Sequence, residues 1–145
     1  MTTFFQVQAF TKDGAGGNAA GVVCDAAGLS ESEMLAIAAQ AGFSETAFVC
    51  PSDTADHRVR FFTPTSEVNL CGHATIATYH LLLERKLLEP GSYSMDTRAG
   101  LQRIEVAADG LVAMTQNPPT FGDVLPADDV ASVLGVTVDD LMDAG

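Results

Sequence analysis

The run CGHATIATYHLLLERK, residues Cys71–Lys86, decides how the chain folds. From about His73 to Lys86 it reads as a helix, and its apolar residues Ile76, Ala77, Leu81, Leu82 and Leu83 cover most of the circumference instead of one stripe. A helix apolar on most sides has to be enclosed on most sides. The flanking segments read as the enclosure. Phe4–Phe10 is an extended run, Ala20–Cys24 and Thr46–Cys50 are short apolar strands, and in Arg58–Thr63 Val59 and Phe61 point opposite to Arg60 and Phe62. After Pro90 and Gly91 come three more candidates, Ser92–Asp96, Leu101–Ala107 and Leu111–Asn117, with a tight turn at Ala108, Asp109 and Gly110 between the last two. Hairpins without regular βαβ crossovers predict an α+β lobe in which a curved sheet, mixed or antiparallel, wraps one central helix.

A second helix is announced by its caps. Ser30 and Glu33 form a capping box, Leu29 and Met34 a hydrophobic staple, and Gly42 a stop. Met34, Ile37, Ala38 and Ala41 fall on one stripe, so this helix buries a single side. Residues 51–56 and 64–69 read as surface connections. Pro118 and Pro119 mark a break in composition. Beyond it Asp128–Leu134, closed by Gly135, and Thr137–Met142 read as short helices, the second with barely a turn before Gly145. Such a helix is marginal alone. The expected organisation is a lobe over residues 1–117, then residues 118–145 as a linker and the beginning of a truncated or separate second lobe.

Composition narrows the function. Of 145 residues 47% are apolar, enough for a core, and 19 acidic residues against 7 Lys plus Arg give a formal charge of -12. A surface of that sign repels phosphate backbones, so no nucleic-acid partner is expected. It does not oppose a small anionic substrate, since amides at a helix start outweigh a distant net field. Cys24, Cys50 and Cys71 show no paired spacing, and no disulfide framework is expected. There is no basic leader region and no apolar run near the roughly 18 residues of a membrane span, so the expectation is a soluble cytoplasmic protein without a membrane partner. No C-x-x-C or H-E-x-x-H spacing occurs, and Gly14, Gly16 and Gly17 lack the Lys-Ser/Thr of a nucleotide loop. Neither a metal nor a cofactor is expected.

Two segments carry chemistry. In Phe43–Thr46 a carboxylate, Glu45, falls between a helix stop and an apolar strand, where partial removal from water suits a general acid or base; local capping or ion pairing by Ser44 or Glu45 is the alternative. In Cys71–Thr75 a thiol, a glycine and an imidazole stand at the start of the enclosed helix. The first-turn amides there form an anion site, Gly72 lets a carboxylate approach the backbone, and His73 adds a hydrogen bond or charge. His80 lies two turns on, roughly 10 Å by helix rise, too far to share an ion with His73, and reads as structural. Cys71 is a buried small hydrophobe, a thiolate activated by the helix start, or the remnant of such a base. Cys24 and Cys50 read as packing residues.

Phe5–Phe10, Gly17–Val23, Leu35–Gln40 leading into Phe43–Val49, Arg60–Pro64 and Glu67–Thr75, taken in this order, resemble the N-terminal half of PhzF-like proteins of phenazine biosynthesis. The likeness covers roughly residues 4–117. It implies a diaminopimelate epimerase-like fold of two pseudo-symmetric lobes, each a curved sheet around a central helix, with substrate in the cleft between them. It further implies that Glu45 is the proton-transferring carboxylate, that Ser44, Gly72 and His73 position the substrate, and that Asn18 stands near the same cleft. The phenazine-pathway member isomerises trans-2,3-dihydro-3-hydroxyanthranilate without metal or organic cofactor. The implied activity is a cofactor-independent isomerase moving a proton on a small cyclic or amino/hydroxy carboxylate. Family members commonly approach twice this length, so the implied partner is a second lobe or fragment of the same protein, or a second copy in a homodimer. The Cys71–His73 context also resembles proline racemase and diaminopimelate epimerase, where a cysteine from each lobe works on opposite faces of an α-carbon. That leaves two alternatives: a two-base cysteine racemase or epimerase with Cys71 catalytic, and a non-catalytic module that binds small carboxylates or serves assembly.

Overall fold

The computed structural model describes residues 2–143. The strands are β1 (Phe5–Ala9), β2 (Asn18–Val23), β3 (Thr46–Cys50), β4 (His57–Phe62), β5 (Glu67–Val68), β6 (Gly91–Thr97), β7 (Gly100–Val106) and β8 (Val112–Met114). The helices are α1 (Glu31–Ala41), α2 (Gly72–Glu84), α3 (Ala127–Leu134) and α4 (Val138–Asp143). All the strands join one sheet in the order β1-β2-β3-β4-β6-β7-β8, with β5 beside β4. The β2–β3 and β4–β6 pairs are parallel and the rest antiparallel, so the sheet is mixed. Helix α2 packs against β1, β2 and β3 and also against β7 and β8. Strands from both ends of the sheet can touch one helix only if the sheet curves around it, which makes an α+β half-barrel with α2 at its centre.

Strand alternation sorts the core into two layers. Val22, Ala47, Val49, Val59 and Phe61 turn to the concave side, where they pack with Ala74, Ala77, Tyr79, Leu81 and Leu82 of α2. Their neighbours Val23, Phe48 and Phe62 turn to the convex side and meet Met34 and Ala38 of α1. Phe48 and Phe62 lie edge to face at 5.5 Å. Burying side chains of this size stabilises by roughly 1.5–3 kcal/mol each. The caps of α1 form as the sequence predicts. Ser30 and Glu33 bond reciprocally, and Gly42 closes the helix in the left-handed region at φ 70°.

Several expected boundaries shift, each for a local reason. Strand β1 ends at Ala9, because Phe10 adopts a positive φ of 59° and turns out to solvent. The pairing of β2 with β1 begins already at Asn18. The central helix stops at Glu84, where Lys86 enters the left-handed region without a glycine. The expected strand to Asn117 ends at Met114, although the Thr115 amide still donates to Arg103 O at 2.9 Å. The connection 64–69 contains the two-residue strand β5, which its length had hidden. The turn at 51–56 is pinned to β6, because Asp56 accepts from the amide and hydroxyl of Ser94. Residues 115–126 hold no helix or strand, then Gly135 caps α3 and a Thr137–Asp140 exchange caps α4. The expected helix end at Gly145 lies outside the described residues. Among the described residues no helix is long and apolar enough to cross a membrane.

One ion network ties the convex layer together. Arg60 donates from Nε and Nη2 to Glu67 at 2.8 and 2.7 Å, and from Nη2 to Glu31 of α1 at 2.7 Å. The Glu67 side chain is 6% exposed, and the bonds from Arg60 hold its carboxyl below the usual range. Arg60→Ala leaves that carboxylate in a dry site with only Arg98 at 3.3 Å. It should cost about 2–4 kcal/mol in urea unfolding, whereas Glu31→Ala, on the 70% exposed side of the network, should cost less than about 1 kcal/mol.

His57 supplies a second test. Its half-buried ring sits edge-on to Tyr79 and beside Tyr93, and burial lowers its pKa below the usual 6.5 against the opposing pull of Asp56. The unfolded chain therefore takes up the proton first as pH falls. Stability from this group is full above about pH 6.5 and declines as pH drops below it. Across that window His57→Gln should flatten the pH dependence of the denaturation midpoint; an unchanged slope would assign it to other groups.

Candidate active site

The position of Glu45 follows from the strand that begins after it. Thr46 and Phe48 face α1 while Ala47 and Val49 face α2, so Glu45, one residue before β3, shares the side of Ala47 and looks toward α2. Its backbone is anchored there, since the Gly21 amide of β2 donates to Glu45 O at 3.1 Å. Phe43, just upstream, stacks on Phe4 at 6.0 Å.

Facing it is the start of α2. Cys71 is the N-cap, in extended geometry, and the amide and hydroxyl of Thr75 both donate to Cys71 O, at 3.0 and 2.8 Å. These bonds fix the direction in which the first turn opens. Glu45 Oε2 lies 3.6 Å from His73 Nε2, and on the other edge of the imidazole Cys71 Sγ lies 3.2 Å from Nδ1. The His73 side chain is 11% exposed, and Nε2 is buried without a hydrogen-bond partner. Donor atoms of Glu45, Cys71 and His73 all fall within 4.8 Å of one another. At Gly72 an added Cβ would meet nothing closer than the Met114 methyl at 4.0 Å. The fold does not require glycine there, and no side chain stands over the first turn at this position.

Burial pushes the Cys71 thiol up to about 11; the Ala74 amide pulls it down and the Glu45 charge raises it further. At neutral pH the sulfur thus carries its proton, and it stands at hydrogen-bond distance from Nδ1 of the imidazole. The arrangement sets a carboxylate beside a nearly dry imidazole and a protonated thiol, at the first turn of a helix.

The residues singled out from sequence separate into two groups. Glu45, Cys71 and His73 converge, with Gly72 between the last two. Ser44 is exposed next to Glu45, and Asn18 is exposed at the first residue of β2, at the sheet end where the parallel strand β3 also begins. Neither joins the cluster. His80 donates to or accepts from nothing in it; its Nδ1 pairs with Gly110 O at 2.9 Å in the turn before β8, in keeping with a structural role. Cys24 and Cys50 pack at the edges of the two core layers. Two contributors escaped notice in the sequence, Thr75 and Met114. The i to i+4 spacing of Cys71 and Thr75 would have shown the first; nothing local signals the second, which arrives from a distant strand.

The sequence matches the phenazine biosynthesis-like protein family (PhzC-PhzF) over residues 7–141. It is 41% identical over 141 residues to the uncharacterized isomerase YfhB of Bacillus subtilis, covering 92% of this chain and 47% of that protein. It is 38% identical over 146 residues to the uncharacterized isomerase YddE of Escherichia coli K12, covering 95% and 48%. Among solved structures, the Bacillus anthracis phenazine biosynthesis protein of the PhzF family superposes with a TM-score of 0.81 at 43% identity, over 94% of this chain and 48% of that one. The chain thus spans about half the length of the relatives it matches.

The state of Cys71 can be read by alkylation. A pKa near 11 in place of the ordinary 9.0 cuts the thiolate fraction at pH 8 about a hundredfold. Iodoacetamide labelling followed by mass spectrometry should find Cys71 slower by at least that factor in the native chain than in urea. Labelling at equal rates would mean a thiolate is already present.

Proposed function

The chain belongs to the phenazine biosynthesis-like protein (PhzC-PhzF) family, and on that premise we propose that it supplies one catalytic lobe of a cofactor-independent isomerase that moves a proton on a small cyclic or amino/hydroxy carboxylate. The reading rests on one observation, the 3.6 Å approach of Glu45 Oε2 to His73 Nε2 at the open start of α2. In this reading residues 1–117 are the N-terminal lobe, and 118–145 lead into a second lobe. That lobe, or a second copy of the chain in a homodimer, closes the cleft and excludes water.

The substrate carboxylate takes the first-turn amides of α2, where Gly72 leaves room for it. Glu45 removes a proton from one carbon and returns it to another, while His73 and Ser44 hold the substrate in reach and Asn18 borders the cleft. One carboxylate serves both transfers because the closed cleft keeps the proton from exchanging with bulk water between them. The relatives named isomerases support the reaction type, and the charge of -12 does not oppose it, since the amides act at contact distance.

A second reading has its own observation. Cys71 sits 3.2 Å from His73, as a cysteine acid or base would in a two-base racemase. Its pKa of about 11 suits donation of a proton better than abstraction, so a partner base from the other lobe would be needed.

Hydrogen exchange into a panel of cyclic amino and hydroxy acids in D2O, using the full-length protein that contains this lobe, separates the readings. Glu45→Gln keeps shape and removes the titrating group, and should lower exchange by about 10²–10⁴-fold with the fold intact by circular dichroism. Cys71→Ser should stay within about tenfold of the parent. The reverse order would hand the chemistry to the thiol, and binding without any exchange would leave a non-catalytic carboxylate-binding module.

A further inference from the structure

A carboxylate, an imidazole and a thiol from two separate segments meet at the start of α2, with donor atoms of all three within 4.8 Å of one another. Most such side chains in a folded protein are spoken for by neighbours. Here His73 Nε2 is buried without a hydrogen-bond partner, Glu45 approaches it only to 3.6 Å, and the Cys71 thiol pairs with the same imidazole, 3.2 Å from Nδ1. We propose that Glu45, His73 and Cys71 form a three-ligand site for a thiophilic divalent cation of the zinc type.

Three physical points carry the assignment. The donor set mixes one soft sulfur with nitrogen and oxygen, which suits zinc and disfavours calcium or magnesium, whose ligands are oxygens. The spacing is close to what a tetrahedral ion needs. With metal–ligand distances of about 2.0–2.3 Å, donor atoms stand about 3.3–3.8 Å apart; the ion takes one ring nitrogen, and the side chain now beside the other nitrogen swings round to it through torsions at Cys71 or Glu45. The site also keeps a way in, since the Glu45 side chain is 23% exposed, and that opening leaves the fourth position to water. Binding forms a sulfur–metal bond and releases the thiol proton to solvent, with no change of oxidation state. Zinc spacing motifs are absent from the sequence because the ligands come from either side of the intervening strands β3 to β5.

Occupation of this site removes the free carboxylate of Glu45. If that carboxylate carries the proton, a consequence resting on the function proposed above, the cation is a reversible inhibitor of the enzyme. The binding itself does not depend on that reading.

Cobalt(II) reports the ligands directly. Titration of the metal-free 145-residue chain with CoCl2 should produce an intense sulfur-to-cobalt absorption in the near ultraviolet and strong visible bands of a four-coordinate ion, both bleached by one equivalent of ZnCl2. Cys71→Ser should abolish the near-ultraviolet band, and Glu45→Gln should weaken cobalt affinity more than about tenfold. Cys24→Ser and Cys50→Ser should leave the spectrum as it was. A weak six-coordinate spectrum in the parent chain, or a thiolate band that survives Cys71→Ser, overturns the site. Circular dichroism on each variant and the parent chain's own spectrum keep the outcome clear of misfolding. Because no turnover is measured, loss of the cobalt signal and loss of hydrogen exchange are separate results.

Discussion

Enclosing α2 is the constraint on which the rest of the structure depends. Its residues Ala74, Ala77, Thr78, Tyr79, Leu81 and Leu82 are buried around the helix, so no single flat layer can cover it. The sheet answers by curving until β1 and β8 at its two ends both reach the helix. Hairpins alone would build a meander. The two parallel pairings, β2 with β3 and β4 with β6, arise because α1 and α2 each interrupt the chain between strands and return it in the same direction. Alternation along β2, β3 and β4 then leaves a second apolar face outside, which α1 covers.

The same enclosure makes the site. A helix buried along its length can present unpaired amides only at its first turn, and here that turn opens at the sheet end where β3 begins. Among the described residues, the carboxylate, thiol and imidazole that converge do so around the one His73 ring. The convergence has an electrostatic cost. The dry surroundings and the Glu45 charge both raise the Cys71 thiol, so the sulfur beside Nδ1 keeps its proton at neutral pH. The Arg60 network is the counterpart on the other side of the sheet, where the buried charge of Glu67 is matched by guanidinium bonds. The two faces thus treat carboxylates differently. One is paired by guanidinium bonds, and the other meets an imidazole nitrogen that has no hydrogen-bond partner.

Much of this was legible in the residues because it is local. The capping box at Ser30 and Glu33, the stop at Gly42, the turn before Gly110 and the opposed faces of Val59 and Phe62 are set by neighbours within a few positions. What went astray was of another kind. The two-residue strand β5 is too short for any pattern, and β1 ends where Phe10 takes a positive φ that its side chain does not advertise. At the site, the sequence singles out Glu45 and His73 but sets Cys71 against Glu45 as a rival. The structure places all three together, and leaves Ser44 and Asn18 exposed outside the cluster.

By itself the order of residues determined the helices and all strands but β5, that the second helix had to be surrounded, and which side chains had chemistry to offer, since propensity, capping and periodicity act over a few bonds. Only the tertiary structure decided that the carboxylate before β3 and the imidazole after the N-cap of α2 face each other. Their meeting depends on strand register and on the curvature of the sheet, quantities summed over many distant contacts that no local pattern encodes.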